Sequence, residues 1–414
     1  MTIETVDCGH PGDQLLSVEA AQRALLDAVS TITDVHQTAL DEALGRVLAT
    51  DVASLIDVPG FDNSAMDGYA VALQADAVAP WRFEVTQRIP AGRVGTVLEP
   101  GCAARIFTGA PIPPGTDAVV MQENVRVIGG YIEIERPIRA GDNIRRRGNA
   151  ISHNATVLTA GQRLAPQHVA LAASVGLASL PVYQPLRVGV FFTGDELVQP
   201  GAALGPGQIY NANRYAITAL LANLGCTVRD LGTVADTLEA TCDALERLAA
   251  DCDLVMTTGG VSVGEEDHVK PAVERLGQLS LWRIAMKPGK PLAFGEVGTT
   301  PFVGLPGNPV SAFVTFLLFA RPLLLKMQGV REVQPRILRV RAGFDWPRGR
   351  PRREFVRVRI DSTATEPVAS QFPRQGSDVL DSIAWADGLV EIREQHRFSA
   401  GEWLNFIPFC GLLA

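Results

Sequence analysis

The spacing of apolar positions changes character along the chain. After Ser17, residues Val18, Ala21, Leu25, Leu26 and Val29 recur on one helical face, with Ser17 placed as the N-cap. Residues 40–48 read as a second short helix. From about 58 to 149, Gly and Pro separate short apolar runs such as 117–121 and 131–134, which is the texture of a β-rich module. A helix is expected over 166–175, ended by Gly176.

From about residue 186 the pattern becomes that of an α/β domain. Val188-Gly189-Val190-Phe191-Phe192 is a continuous apolar run closed by Gly194, as in a parallel strand buried on both faces. A helix from Asn213 carries Ile217, Leu220, Leu221 and Leu224 and stops at Gly225. A strand at 228–231, a helix capped by Thr237 with Leu238, Leu245 and Leu248, and a strand at 253–256 follow. Segments 291–294 and 302–305 and an apolar helix after Pro309 continue the series. This strand–helix alternation predicts a doubly wound sheet. Beyond it, short alternating runs at 337–342, 354–360, 388–392 and 403–407 predict a small β-barrel or sandwich.

With 414 residues, the chain is too long for one ordinary core. Its 37 basic and 45 acidic residues give a formal charge of −8. That balance argues against nucleic acid or an anionic membrane as partner, and leaves an anionic small substrate to local Arg and Lys clusters. None of the six cysteines forms a C-x-x-C pair or sits near histidine at zinc spacing, so reduced thiols in a reducing compartment are expected. The N-terminal stretch carries Glu4, Asp7 and Asp13 and no apolar signal core. The most apolar stretch, 313–325, contains Arg321 and Pro322 and falls short of the ~20 residues of a membrane span. A soluble, cytoplasmic chain is expected.

In an open α/β sheet, ligands lie beyond the carboxyl ends of the strands, so the residues after each predicted strand carry the candidate chemistry. Thr193-Gly194-Asp195-Glu196-Leu197 offers a tight turn and acids for a metal or for substrate donors; the alternative is an acidic first turn on a helix dipole. Gly259, Gly260, Ser262 and Gly264 can present backbone N–H groups to a phosphate, and Asp267 behind them suits Mg²⁺; without a Gly-Lys-Ser/Thr this is not a Walker A loop. Lys287-Pro288-Gly289-Lys290-Pro291 places two lysines on a rigid turn, either a phosphate clamp or solvated charges. Leu305-Pro306-Gly307-Asn308-Pro309-Val310-Ser311 puts Pro309 at a helix start beside free N–H groups. All four arise on one predicted sheet, and the residues alone support a phosphate- and Mg²⁺-binding domain acting on an activated small molecule. Outside it lie the polar turn at 63–70, the Thr108-Gly109-Ala110-Pro111 turn and the basic run Arg145-Arg146-Arg147, a solvated face or an anion clamp.

These segments, in this order and over roughly residues 15 to 410, strongly resemble the MoeA family, which includes the E-domain of gephyrin. Gly141 to Gly148, Gly207-Gln208-Ile209-Tyr210 and Gly376-Ser377 add to the match. The Gly259–Gly264 block is shared with molybdopterin adenylyltransferases and is less specific. The resemblance implies a multidomain α/β plus β chain: a discontinuous helical linker domain at 14–57 and 150–182, an inserted β-rich module at 58–149, a central MoaB/Mog-like α/β domain at 183–330, and a C-terminal small β-barrel at 331–414. It implies molybdenum insertion into adenylylated molybdopterin from molybdate, with Mg²⁺-dependent cleavage of the pyrophosphate bond and release of AMP. It also implies a homodimer with an inter-subunit active site and an adenylyltransferase as upstream partner.

By position, Asp67, Thr108, Glu196, Asp236, Asp267, Lys287, Pro306 and Pro309 match family functional positions. The implied roles are Mg²⁺ ligation for Asp236 and Asp267, oxyanion neutralisation for Lys287 and Lys290, a phosphate cradle for Gly259, Gly260 and Ser262, and the molybdate border for Asp67 and Thr108. Thr193, Gly194, Asp195, Gly264, Gly307, Asn308 and Ser377 complete the expected binding set. The competing functions are a molybdopterin adenylyltransferase, betrayed by ATP consumption with molybdopterin, and a non-catalytic pterin-binding scaffold. Two departures stand out. Asn149-Ala150-Ile151 replaces a family segment that carries an acid, and Arg283 stands where a relative has Lys. Either a neighbouring acid such as Asp142 compensates for Ala150 or insertion is slow. An Ala150→Asp variant should insert metal clearly faster if the loss is limiting; an unchanged rate in the insertion assay would remove Ala150 from the chemistry.

Overall fold

The computed structural model describes residues 15–74, 79–260, 268–363 and 365–413. A six-stranded sheet forms its frame, in the order Thr227–Val234, Arg187–Thr193, Leu254–Thr258, Thr300–Leu305, Pro291–Val297, Gly277–Arg283. The first four strands are parallel, and the last two join by antiparallel pairing. Residues 188–193 are all buried, which is why this strand reads as an unbroken apolar run. Val188, Val190 and Phe192 face a core shared with helices Ala212–Asn223 and 309–327. Phe191 and Val255 face a second core with helices Leu238–Ala249 and Val269–Leu276. The chain lays strand 187–193 first, then 227–234 on one side and 254–258 on the other. The direction of winding therefore switches between Thr193 and Thr258, which opens a crevice there.

The C-terminal strands close on themselves. Arg353–Asp361, Val368–Gln371, Leu338–Ala342, Trp403–Pro408 and Gly388–Ile392 pair in that order, and the last returns to the first, so the structure is a five-stranded barrel rather than a sandwich. A second six-stranded sheet forms a module over 68–134, in which Gly68–Val71 lies between Cys102–Ile106 and Ala118–Met121. The chain enters and leaves this module through short ladders: Val52–Ala53 pairs with Thr156–Leu158, and Val35–Ala39 with Ser179–Tyr183.

Helix ends follow local chemistry. Ser17 Oγ accepts from Ala20 N to start Val18–Asp27, and Thr237 Oγ1 accepts from Ala240 N to start Leu238–Ala249. The expected helix at 40–48 does not form. Only a 3-10 turn, Leu40–Glu42, is present, and Gly45 at φ 78° breaks it. The strand before it was invisible to the apolar pattern because four of its five residues, Val35–Ala39, are exposed.

Pro309–Met327 is long and apolar enough to cross a membrane, but 89% of that window is buried inside the fold. It is the shared core helix of the α/β sheet and the barrel. Pro322 has no N–H to donate and would crowd the carbonyl four residues back. The helix widens at 316–320, where Arg321 N bonds Phe316 O in a π turn. The buried Arg321 side chain donates to the carbonyls of Leu412, Val333 and Gly411, pinning the C-terminus. Burial lowers its pKa to about 10. Arg321→Ala would orphan three carbonyls at this junction and should cost about 3 kcal/mol in urea unfolding; a loss below about 1 kcal/mol would show the junction does not depend on it.

Candidate functional site

At the switch point the sheet, the Lys287–Lys290 turn and the barrel enclose a cavity of about 620 Å³. Thr193 and Glu196 border it from the first strand, and Gly259 from the third. Lys287 and Lys290 contribute from the turn, Pro306, Gly307, Asn308 and Pro309 from the end of the strand at 300–305, and Ser377 from the barrel. Ten residues expected from sequence thus converge from five separated segments.

Backbone contacts explain the convergence. Gly259 adopts φ 81° and lies against Gly307, while its N–H donates to Leu305 O at 3.0 Å. Gly259 therefore supplies close approach rather than a phosphate-binding N–H. Asn213 Nδ2 ties the two loop ends together by donating to Gly307 O at 2.7 Å and to Thr258 Oγ1 at 3.3 Å. Gly289, at φ 98°, lets the lysine turn lie on the 309–327 helix; a Cβ there would sit 2.3 Å from Thr315 Oγ1. Ile284 N closes the turn on Lys290 O, and Met286–Lys287 pairs in parallel with Arg353–Glu354 of the barrel. Val310 N donates to Ser377 O at 3.0 Å, which fixes Ser377 at the start of the core helix.

Among the described residues the cavity is lined by three cations against one acid, Glu196. Lys287, Lys290 and the half-buried Arg352 all line it, and none makes a side-chain hydrogen bond or ion pair with another described residue. Their charges are left for a ligand, beside the positive end of a helix.

The other expected site residues lie elsewhere. Asp195 is exposed, and neither it, Gly194 nor Gly260 borders the cavity. Asp236 is half-buried beyond the end of strand 227–234, also off the cavity. Ser262, Gly264 and Asp267 lie outside the described residues, and among the described residues no cluster of three or more His, Cys, Asp or Glu could hold a metal. Asp67 and Thr108 sit in the inserted module at neighbouring strand ends, because Gly68 pairs with Ile106. Asp67 Oδ1 accepts from both Thr108 N and Thr108 Oγ1 at 2.8 Å, and these bonds, with Arg105 nearby, hold its carboxyl below the usual range. The pair does not border the cavity of its own chain.

The basic run is not an open anion clamp along its length. Arg146 pairs with Asp62 and Arg147 with Asp57, each at 2.7 Å. Asp142 accepts from Arg139 N within its own turn, and Ala150 is exposed with its N–H on Val58 O. Arg283 ends an edge strand and does not border the cavity. Sequence reasoning missed Arg352, Asn213 and Tyr210 as cavity residues. The Arg-rich stretch at 348–353 is the available signal for the first; in sequence, Asn213 reads only as a helix start.

Comparison with known proteins decides the family. Residues 16–176 match the MoeA N-terminal region (domain I and II), 189–326 a probable molybdopterin binding domain, and 339–409 the MoeA C-terminal region (domain IV). A molybdopterin molybdenumtransferase of Haemophilus influenzae is 39% identical, over 96% of this chain and 100% of that one. The chain belongs to the MoeA family. Other MoeA-family relatives agree: a Mycobacterium tuberculosis protein named molybdopterin molybdenumtransferase 2 is 38% identical over 91% of this chain and 95% of its own length. The crystal structure of a Pyrococcus horikoshii OT3 molybdopterin biosynthesis MoeA protein superposes with TM-score 0.83 at 29% identity, covering 95% of this chain and all of that one.

In this MoeA-family chain, Gly289→Ala should force the lysine turn off the core helix. The expected loss is about 2–4 kcal/mol, from left-handed backbone strain plus overpacking, read by chemical denaturation. Unchanged stability would mean the turn is not held by this contact.

Proposed function

We propose that this protein is a molybdopterin molybdenumtransferase that takes molybdate and adenylylated molybdopterin and yields molybdenum cofactor and AMP. The observation that carries the reading is the set of three cations without described partners, Lys287, Lys290 and Arg352, around one cavity at the switch point. A pyrophosphate and an oxyanion substrate both need such charge, and family membership supplies the substrate class.

In this reading the lysines and Arg352 neutralise the pyrophosphate and molybdate oxygens, and the hydroxyls of Ser377 and Ser311 donate to them. Attack of a water oxygen on the adenylyl phosphorus forms one P–O bond as the phosphoanhydride bond breaks. AMP takes up the water oxygen and the molybdopterin phosphate leaves, and negative charge that builds on the phosphate oxygens is met by groups already in place. Asp236 provides a strand-end carboxylate of the oxygen-donor kind magnesium takes, and Asp267 would be its partner. A bound Mg²⁺ would supply further charge neutralisation at the pyrophosphate. Because Asp67 and Thr108 stand away from their own cavity, the reading includes a homodimer in which the partner's module completes the site. It also includes cytoplasmic residence and an adenylyltransferase upstream, since the substrate must be adenylylated first.

The test is AMP release by the purified protein with adenylylated molybdopterin, molybdate and Mg²⁺. Molybdate-dependent release is expected, reduced about 10²-fold or more in Lys287→Ala and abolished in Asp267→Asn. Tight binding without release would make the chain a scaffold, and ATP consumption with molybdopterin would make it an adenylyltransferase.

A further inference from the structure

Beyond Lys287 the cleft continues into a second chamber of about 510 Å³, walled almost wholly by the barrel. That volume lies within the roughly 300–1,000 Å³ common for small-molecule pockets. Its chemistry differs from the first chamber. The first presents cations and hydroxyls, which suit phosphate. The second sets two carboxylates, Asp345 and Glu354, and two amides, Gln371 and Gln375, among its cations Lys287, Arg348 and Arg350, the last held on an indole.

Glu354 is the central group. It is 5% exposed yet lines the chamber, and Arg350 Nη1 donates to its Oε1 at 2.7 Å. Its Oε2 accepts from no other described residue. Arg350 is itself fixed, 4.4 Å over the Trp346 ring, which stacks in turn on Phe398 with an interplanar angle of 8°. The Gln371 side chain, also on the wall, has no side-chain partner among the described residues. Lys287 and Glu354 are register partners across the sheet–barrel pairing, so one lysine borders both chambers at their junction.

We infer that the second chamber binds the pterin ring system of the substrate, with Glu354 accepting from the exocyclic amino group and the adjacent ring N–H of the pterin pyrimidine. This rests on the substrate class proposed above and assigns the parts of that substrate to places. A 2-amino-4-oxo pyrimidine presents two parallel N–H donors, and a carboxylate held by an arginine is the complement to that edge. The pyrophosphate then falls at Lys287, and the nucleotide lies in the first chamber against Gly259 and Gly307. The nucleotide is the less suited occupant of the second chamber, because the adenine Watson–Crick edge presents a donor beside an acceptor rather than two donors.

The probe is 6-hydroxymethylpterin, whose own fluorescence reports binding to the full-length protein. Its counterpart with the amino group replaced by oxo lacks one donor. Wild type should bind the pterin at least about tenfold more tightly than that counterpart, because a buried acceptor left unpaired is costly. Glu354→Gln should erase the discrimination, since an amide turns a donor toward a donor, while AMP still binds. Gln371→Trp keeps the Glu354–Arg350 pair and fills the chamber; it should block the pterin, leave AMP binding within about twofold, well under the tenfold worth of one good hydrogen bond, and keep the wild-type melting temperature. Failure of wild type to bind the pterin at millimolar concentration, equal binding of the two pteridines, or pterin binding that survives both variants would overturn the assignment. Wild-type AMP release with an unchanged kcat/KM in Gln371→Trp would overturn the chamber and leave the insertase reading standing. Pterin discrimination in a protein that releases no AMP would do the reverse.

Discussion

Met286 and Lys287 leave the α/β sheet and pair with Arg353 and Glu354 of the barrel, and most of the site's geometry hangs on that short ladder. Arg353 anchors it. Its buried guanidinium bonds Glu391 at 3.0 Å, Glu394 at 3.3 Å and Glu19 of the first helix at 2.5 Å, while Arg353 N donates to Ala285 O. Segments far apart in sequence are thereby held around one charge. A cluster around one buried arginine adds little net stability over an apolar replacement, but losing Arg353 itself would leave the enclosed Glu391 carboxylate without its cation. Its effect is placement: it sets Lys287 on one wall of the cleft and Arg352, one residue from Arg353, on another.

That placement lets an acidic protein present a basic cavity. The formal charge of −8 is a property of the whole surface, whereas a bound oxyanion responds to the few charges within a Debye length, about 8–10 Å at physiological salt. Several other basic residues are neutralised where they stand: Arg146 by Asp62, Arg147 by Asp57, Arg187 by Asp253, Arg214 by Asp230. Lys287, Lys290 and Arg352 have no such partner among the described residues, and they converge on one cleft.

The strand at 187–193, the helices begun by Ser17 and Thr237 and the apolar helix from Pro309 were legible because each has a local cause: continuous burial, a side-chain cap or a proline start. The apolar spacing at 40–48 predicts a helix that does not form, because that spacing carries no information about Gly45, whose left-handed backbone ends the turn. Strand Val35–Ala39 left no apolar trace because its stability comes from backbone pairing with Ser179–Tyr183 rather than from buried side chains. The same limit applied to the site. The glycine and proline turns at strand ends announced themselves, while Arg352 lay in a run of arginines with no local mark to separate it from Arg348, exposed, or Arg353, buried in its ion cluster.

By itself the sequence determined the alternating α/β core, the turn chemistry at its strand ends and the family, because burial period, caps and glycine or proline constraints act over a few residues. Only the tertiary structure decided which charges go unpaired, that Gly259 spends its N–H on Leu305, that Asp67 and Thr108 stand apart from the cavity of their own chain, and that the cleft has a second chamber around Glu354. Those outcomes depend on contacts between residues tens to hundreds of positions apart. Such contacts are set by how the cores dock, and no local pattern encodes them.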